Sequence, residues 1–143
     1  MPDKAITYDD VLLVPNYNHY ASRRMVDISM QDRSGKLQLD LPVMTANMDA
    51  ITEHKMANFI GQKGGIGVLH RFLSIEDNIE EFKKCEYKTF VSVGCSEQEL
   101  ERASALAAAG AEYFCIDVAH AHAKYIGQTL KQLRDNFPNA CIM

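Results

Sequence analysis

No apolar run in this chain approaches the ~20 residues that a membrane-spanning helix requires, and the first residues, MPDKAITYDD, are too charged for a secretory signal. Neither charge dominates: 15 Lys and Arg stand against 19 Asp and Glu, for a net charge of −4. The two signs are mixed along the chain without a basic stripe, which argues against nucleic acid as a partner. Cysteine is scarce. The four, Cys85, Cys95, Cys115 and Cys141, are widely spaced and form no CxxC pair. Without a secretory signal they read as reduced thiols of a cytoplasmic protein, not as disulfides or a zinc site. P-loop, GxSxG and HExxH patterns are also missing.

What the chain does have is a rhythm. Its 143 residues are 47% hydrophobic, ample for one domain with a core. Apolar strand-like runs LPVM (41–44), GIGVLH (65–70), TFVSVG (89–94), EYFCIDVA (112–119) and ACIM (140–143) recur every ~24 residues, separated by helical patterns. The first helix spans about 53–63; Ser74 with Asp77, and Ser96 with Glu99, form capping boxes for the next two. Gly110 supplies a left-handed helix stop, and Ile126, Leu130, Leu133 and Phe137 stripe a fourth helix that Pro138 closes. Runs buried on both faces and joined by helices predict a parallel sheet.

Two architectures fit that spacing: a doubly wound five-strand sheet, or the first half of a (β/α)₈ TIM barrel holding four βα units and the fifth strand. ACIM ends at residue 143 with no helix to cover it, which favours the half-barrel. On this reading residues 1–40 are an N-terminal arm, either a plug across the closed end or a plain extension, and residues 41–143 carry the repeats.

In both architectures ligands bind at the carboxyl ends of the strands, here TANMD (45–49), LHR (69–71), SVGC (92–95) and IDVAHAH (116–122). Each rim residue has a plainer role beside it. Asp117 is a helix cap or a ligand contact; His70 and Arg71 hold a phosphate or carboxylate, or face water; Asn47 and Asp49 cap the helix beginning at Thr52–Glu53, or line a site. His120 and His122 lack a third ligand, so no metal site is expected. The glycines of GQKGGIG end a helix and enter a strand, the reverse of a dinucleotide fingerprint. Gly64 or Gly65 suits a helix C-cap and Gly67 suits close packing.

TYDDVLLVP, LPVMTANMDAITE, GGIGVLHRFLSIE and CIDVAHAH closely resemble, in order and spacing, the IMP dehydrogenase and GMP reductase family, from Thr7 to Met143. The resemblance implies a (β/α)₈ barrel, a purine nucleotide substrate, a nicotinamide cofactor and commonly a homotetramer. SIEDNIEEFKKCEYKTFVSVG leaves no room for the CBS modules that most IMP dehydrogenases insert there, and ANMD looks more like GMP reductase. The implied reaction is NADPH-dependent reduction of GMP to IMP with loss of ammonia; an IMP dehydrogenase without inserted modules is the alternative, and a complete non-catalytic α/β domain a third reading. By resemblance, cofactor contacts fall on Ser22, Arg23, Arg71, Asp117, Val118 and Ala119, and substrate contacts on Ala46, Asn47 and Met48. Arg71 stands where the family usually has lysine. The family's nucleophilic cysteine, its K+ site and its phosphate-binding glycines map beyond residue 143, so the 143 residues alone are expected to be inactive.

Overall fold

The computed structural model describes residues 5–143; residues 1–4, part of the charged start that argues against a signal peptide, lie outside the described residues. The arm is extended and exposed as far as Ser29, with 3-10 turns at Tyr8–Asp10 and Arg23–Met25. Two short strands follow, β1 (Met30–Gln31) and β2 (Gln38–Leu39), paired antiparallel. Asp32 organises the turn between them by accepting the Leu37 N–H at 2.8 Å and the Ser34 N–H at 3.1 Å. Nothing in QDRSGKLQLD beyond a polar turn is legible in sequence, because strands of two residues carry no periodicity.

The repeats then run α1 (His54–Gln62), β3 (Gly67–Leu69), α2 (Ile75–Lys83), β4 (Thr89–Val93), α3 (Glu97–Ala108), β5 (Tyr113–Ile116), α4 (Lys124–Asn136) and β6 (Cys141–Ile142). The four later strands are parallel in the order β3-β4-β5-β6. Alternation along each strand sorts the core into two faces. Leu69, Val91, Val93 and Phe114 meet Ala57, Ala103, Leu106 and Leu133 from α1, α3 and α4, while Ile79 and Phe82 of α2 pack on the same cluster. Every helix therefore lies on one side of the sheet. A doubly wound sheet would divide them between two sides; a barrel wall does not.

The opposite face is the barrel interior, made of Ile66, Val68, Phe90 and Tyr113 with Leu37 and Leu39 of the hairpin. The Tyr113 hydroxyl donates to the Lys36 carbonyl at 3.1 Å, and Lys36 Nζ reaches the carbonyls of Pro138 (3.3 Å) and Ala140 (3.4 Å). Residues 30–39 thus pack across the N-terminal ends of the strands, while residues 5–29 are extended and exposed.

The expected strand at 41–44 is reduced to one parallel bridge, Met44 with Ile66. Its backbone still runs beside β3, since Leu41 N–H donates to Gly64, Ile66 N–H to Val43, and Thr45 N–H to Ile66. The Val43 N–H turns back to the Leu41 carbonyl at 2.7 Å in place of a bond to the neighbouring segment, so the ladder stays incomplete. Glycines set the close approaches. A Cβ on Gly67 would lie 2.5 Å from Ala57 Cβ, so α1 rests directly on β3. Gly64, at φ +86°, takes the left-handed turn after α1, and Gly110, at φ +102°, does so after α3.

Candidate active-site rim

Ser74 starts α2 by accepting the Asp77 N–H at 3.0 Å, and Ser96 starts α3 by accepting the Glu99 N–H at 3.3 Å. Both helices are therefore capped at the rim. Both boxes are only half formed, however: Asp77 accepts the Ser74 hydroxyl at 2.9 Å and not its N–H. Glu99 does not turn back to the cap residue; its carboxylate accepts the Gly94 N–H at 2.7 Å and the Arg102 Nε–H at 3.1 Å. Helix α1 has no side-chain cap of its own. Neither Asn47 nor Asp49 supplies one: Asp49 accepts the adjacent Ala50 N–H at 2.7 Å. The cap comes from Glu81 on α2, which accepts the His54 N–H at 2.7 Å, pairs with His54 Nδ1, and takes Lys84 Nζ at 3.0 Å. Burial opposes ionisation of Glu81, but the His54 backbone and side chain and Lys84 outweigh it and pull the carboxyl down to about 2.

The structure joins two expected cofactor residues. Arg71, following β3, donates Nε–H to Asp117, following β5, at 3.1 Å. Its Nη1 lies 3.9 Å from the Glu99 carboxylate. Asp117 is therefore an ion-pair partner and not a helix cap; α4 begins at Ala123 without a side-chain cap. Arg71 and Asp117 are each about 30% exposed, at 30% and 29%, so both are reachable from solvent. Val118 is half-buried and Ala119 exposed immediately after.

The expected substrate residues sit nearby on the same rim. Asn47 reaches across β3 to donate to Ser92 Oγ of β4 at 3.1 Å. Ala46 offers its carbonyl to the Thr52 hydroxyl, and the Met48 carbonyl accepts the Ile51 and Thr52 N–H groups at 2.9 Å. This turn presents Met48 with 52% of its surface exposed. Ser22 and Arg23 are not brought to the rim. Ser22 Oγ accepts the Arg24 N–H at 3.3 Å within its own turn, and neither residue bonds to the strand ends among the described residues.

His70 Nδ1 accepts the Phe72 N–H at 3.2 Å, so its remaining donor is Nε2, which is buried without a hydrogen-bond partner and lies 3.9 Å from the Glu53 carboxylate. His120 and His122 are exposed, with ring centroids 6.4 Å apart, and no group of three potential metal ligands occurs among the described residues. Burial raises the thiols of Cys85, to about 11, and of Cys115 and Cys141; nearby Glu81 and Asp117 push Cys85 and Cys115 the same way. Such thiols are poor nucleophiles.

Three rim residues hold roles that their sequence signature does not show, and a fourth, Ser92, lies in the strand end SVGC (92–95). Ser92, fully buried in an otherwise apolar strand, was visible as a polar interruption. Glu99 has the signature of a cap residue. Asn78 and Arg102 carry the standard signature of a helix surface, yet they are 0% and 5% exposed.

The one-sided parallel wall and the polar rim at its strand ends define part of a TIM barrel. The chain belongs to the IMP dehydrogenase / GMP reductase family, whose domain model matches residues 5–143. It is 41% identical to an inosine-5'-monophosphate dehydrogenase of Nitrosopumilus maritimus over 81 residues, 57% of this chain and 17% of that protein. It is 32% identical to a GMP reductase of Lactobacillus acidophilus over 142 residues, 96% of this chain and 42% of that one. A crystal structure titled inosine 5' monophosphate dehydrogenase from Legionella pneumophila superposes with a TM-score of 0.91 at 64% identity, covering 98% of this chain and 43% of that chain. The chain thus spans less than half the length of each of these relatives. No described helix is long and apolar enough to cross a membrane.

Proposed function

We propose that the intact protein carrying this chain reduces GMP to IMP and ammonia with NADPH, and that residues 1–143 form the first half of its single barrel. The observation that carries this reading is the direct passage from α2, ending at Lys83, to β4, starting at Thr89. The five intervening residues leave no place for an inserted module. The likeness to the Lactobacillus acidophilus GMP reductase is near-continuous, over 96% of this chain, and that to the Legionella pneumophila dehydrogenase structure is equally so, over 98%. A second reading, an IMP dehydrogenase without inserted modules, draws on the 64% identity to the Legionella pneumophila structure.

The rim suits a dinucleotide in one respect that the structure itself offers. Arg71 and Asp117 place a guanidinium and a carboxylate together on an accessible edge, a donor set for phosphate and a hydroxyl acceptor. When bound, the nicotinamide supplies the hydride for C2 of the purine. The residues of this chain bind and orient: Arg71 meets phosphate, Asp117 accepts from ribose hydroxyls with Val118 and Ala119 beside it, and Asn47 with Ala46 and Met48 faces the purine nucleotide. Ser22 and Arg23 would reach the cofactor only from the arm. The raised thiols of Cys85, Cys115 and Cys141 agree with a nucleophile elsewhere in the intact protein. A homotetramer and a K+ site in the cysteine loop belong to the same proposal.

The test is turnover by the intact protein with both pairs of reactants. GMP with NADPH is expected to react; IMP with NAD reacting in its place selects the second reading, and failure of both pairs rejects the functional reading.

A further inference from the structure

We infer that Glu99 is the positioning residue for Arg71, at the centre of a buried relay that ties α2 and α3 to the rim; this rests on the reading that Arg71 meets the dinucleotide. Glu99 is 8% exposed and Arg102 is 5% exposed. The Arg102 Nε–H is held by Glu99, and its Nη1 turns to Asn78 Oδ1 at 3.1 Å and to the Ser74 carbonyl at 3.3 Å. Asn78 in turn donates to the carbonyl of His70, the residue before Arg71, at 3.2 Å. Arg71 is consequently held twice. Its backbone is fixed through His70 and Asn78, and its guanidinium lies between Glu99 at 3.9 Å and Asp117 at 3.1 Å.

Gly94 keeps this junction open. A Cβ there would lie 3.0 Å from Glu99 Cγ and 3.5 Å from Arg71 Cζ. A helix cap needs only Ser96, so capping does not account for a buried carboxylate turned towards Gly94 and two arginines. A buried ion pair is also weak evidence for stability, because desolvation offsets much of its attraction. Its geometry does have one consequence. Asp117 is the more accessible partner of Arg71, its side chain 29% exposed against 11% for that of Glu99, which stays behind it in the protein. A ligand hydroxyl can take Asp117 while Glu99 keeps the guanidinium in place. Without the Glu99 charge, Arg71 depends on Asp117 alone, and each group becomes less available to a ligand.

The test is a double-mutant cycle in the intact protein, read as the KM for the nicotinamide dinucleotide it turns over. E99Q is expected to raise that KM about tenfold with kcat changed by less than about twofold, and R71M to raise it comparably. The two together are expected to give little more than either alone, since the second change removes an interaction the first has already spoiled. E99Q leaves Arg102 as an unpaired buried cation, so E99Q/R102Q is made alongside, with melting temperature as the folding control. It is expected to show the same rise in KM. A folded E99Q/R102Q protein with the parental KM, or fully multiplicative effects of E99Q and R71M, overturns the inference. An unchanged KM in R71M alone overturns the dinucleotide reading of Arg71, and this inference with it.

Discussion

Removing the charge of Glu81 should flatten the acid limb of the stability curve. Glu81 is the borrowed cap of α1, and its carboxyl falls from an ordinary value of 4.5 to about 2 in the fold. The group binds a proton more readily unfolded than folded. Stability from this interaction is therefore present above pH 4.5 and is lost as pH falls towards 2. At about 1.4 kcal/mol per pH unit of displacement, the full effect is roughly 3 kcal/mol, of which about 2 kcal/mol disappears between pH 6 and pH 3. Lys84 is half-exposed, at 53%, so its share is screened and the expected loss is nearer 1–2 kcal/mol. Urea unfolding of the parent and of E81Q at the two pH values measures the difference. The parent is expected to lose about 1–2 kcal/mol more than E81Q on acidification. Equal losses would refute the cap, and with it the claim that α2 rather than the TANMD turn anchors the start of α1.

Three further outcomes follow from local geometry. G67V places a side chain against Ala57, where even a Cβ lies at 2.5 Å, and is expected to cost about 1–3 kcal/mol in urea unfolding, with partial recovery in A57G/G67V. N47A removes the 3.1 Å bond to Ser92 and is expected to cost about 1 kcal/mol while raising the KM for the purine nucleotide in the intact protein; an unchanged KM contradicts the substrate role of Asn47. Cys85, its thiol pushed up to about 11, is expected to react with a maleimide at neutral pH far more slowly than a model thiol, as followed by peptide mass mapping.

The fold was legible where burial is two-sided. GIGVLH, TFVSVG and EYFCIDVA form continuous apolar runs because helices cover one face and the barrel interior the other, and each contains a strand of the sheet. LPVM shows the same composition, but composition does not reveal that the Val43 N–H turns back to Leu41 and leaves a single bridge. The one-sided placement of the helices, which decides between the two architectures, is a property of packing and left no trace in the spacing. The rim was legible as a set of polar strand ends, but its pairing was not. Arg71 and Asp117 are 46 residues apart and meet only because β3 and β5 flank β4. Glu99 and Glu81 look like ordinary helix residues. What they do depends on the neighbouring element that each one faces.

The central claim is that this half-barrel presents the rim of a GMP-reducing enzyme. Its most direct test is the stoichiometry of products when the intact protein is given GMP and NADPH. IMP and ammonia are expected in equal amounts, each matching the NADPH consumed, with no XMP formed. NADH formation from IMP and NAD, with no ammonia released from GMP, would contradict it.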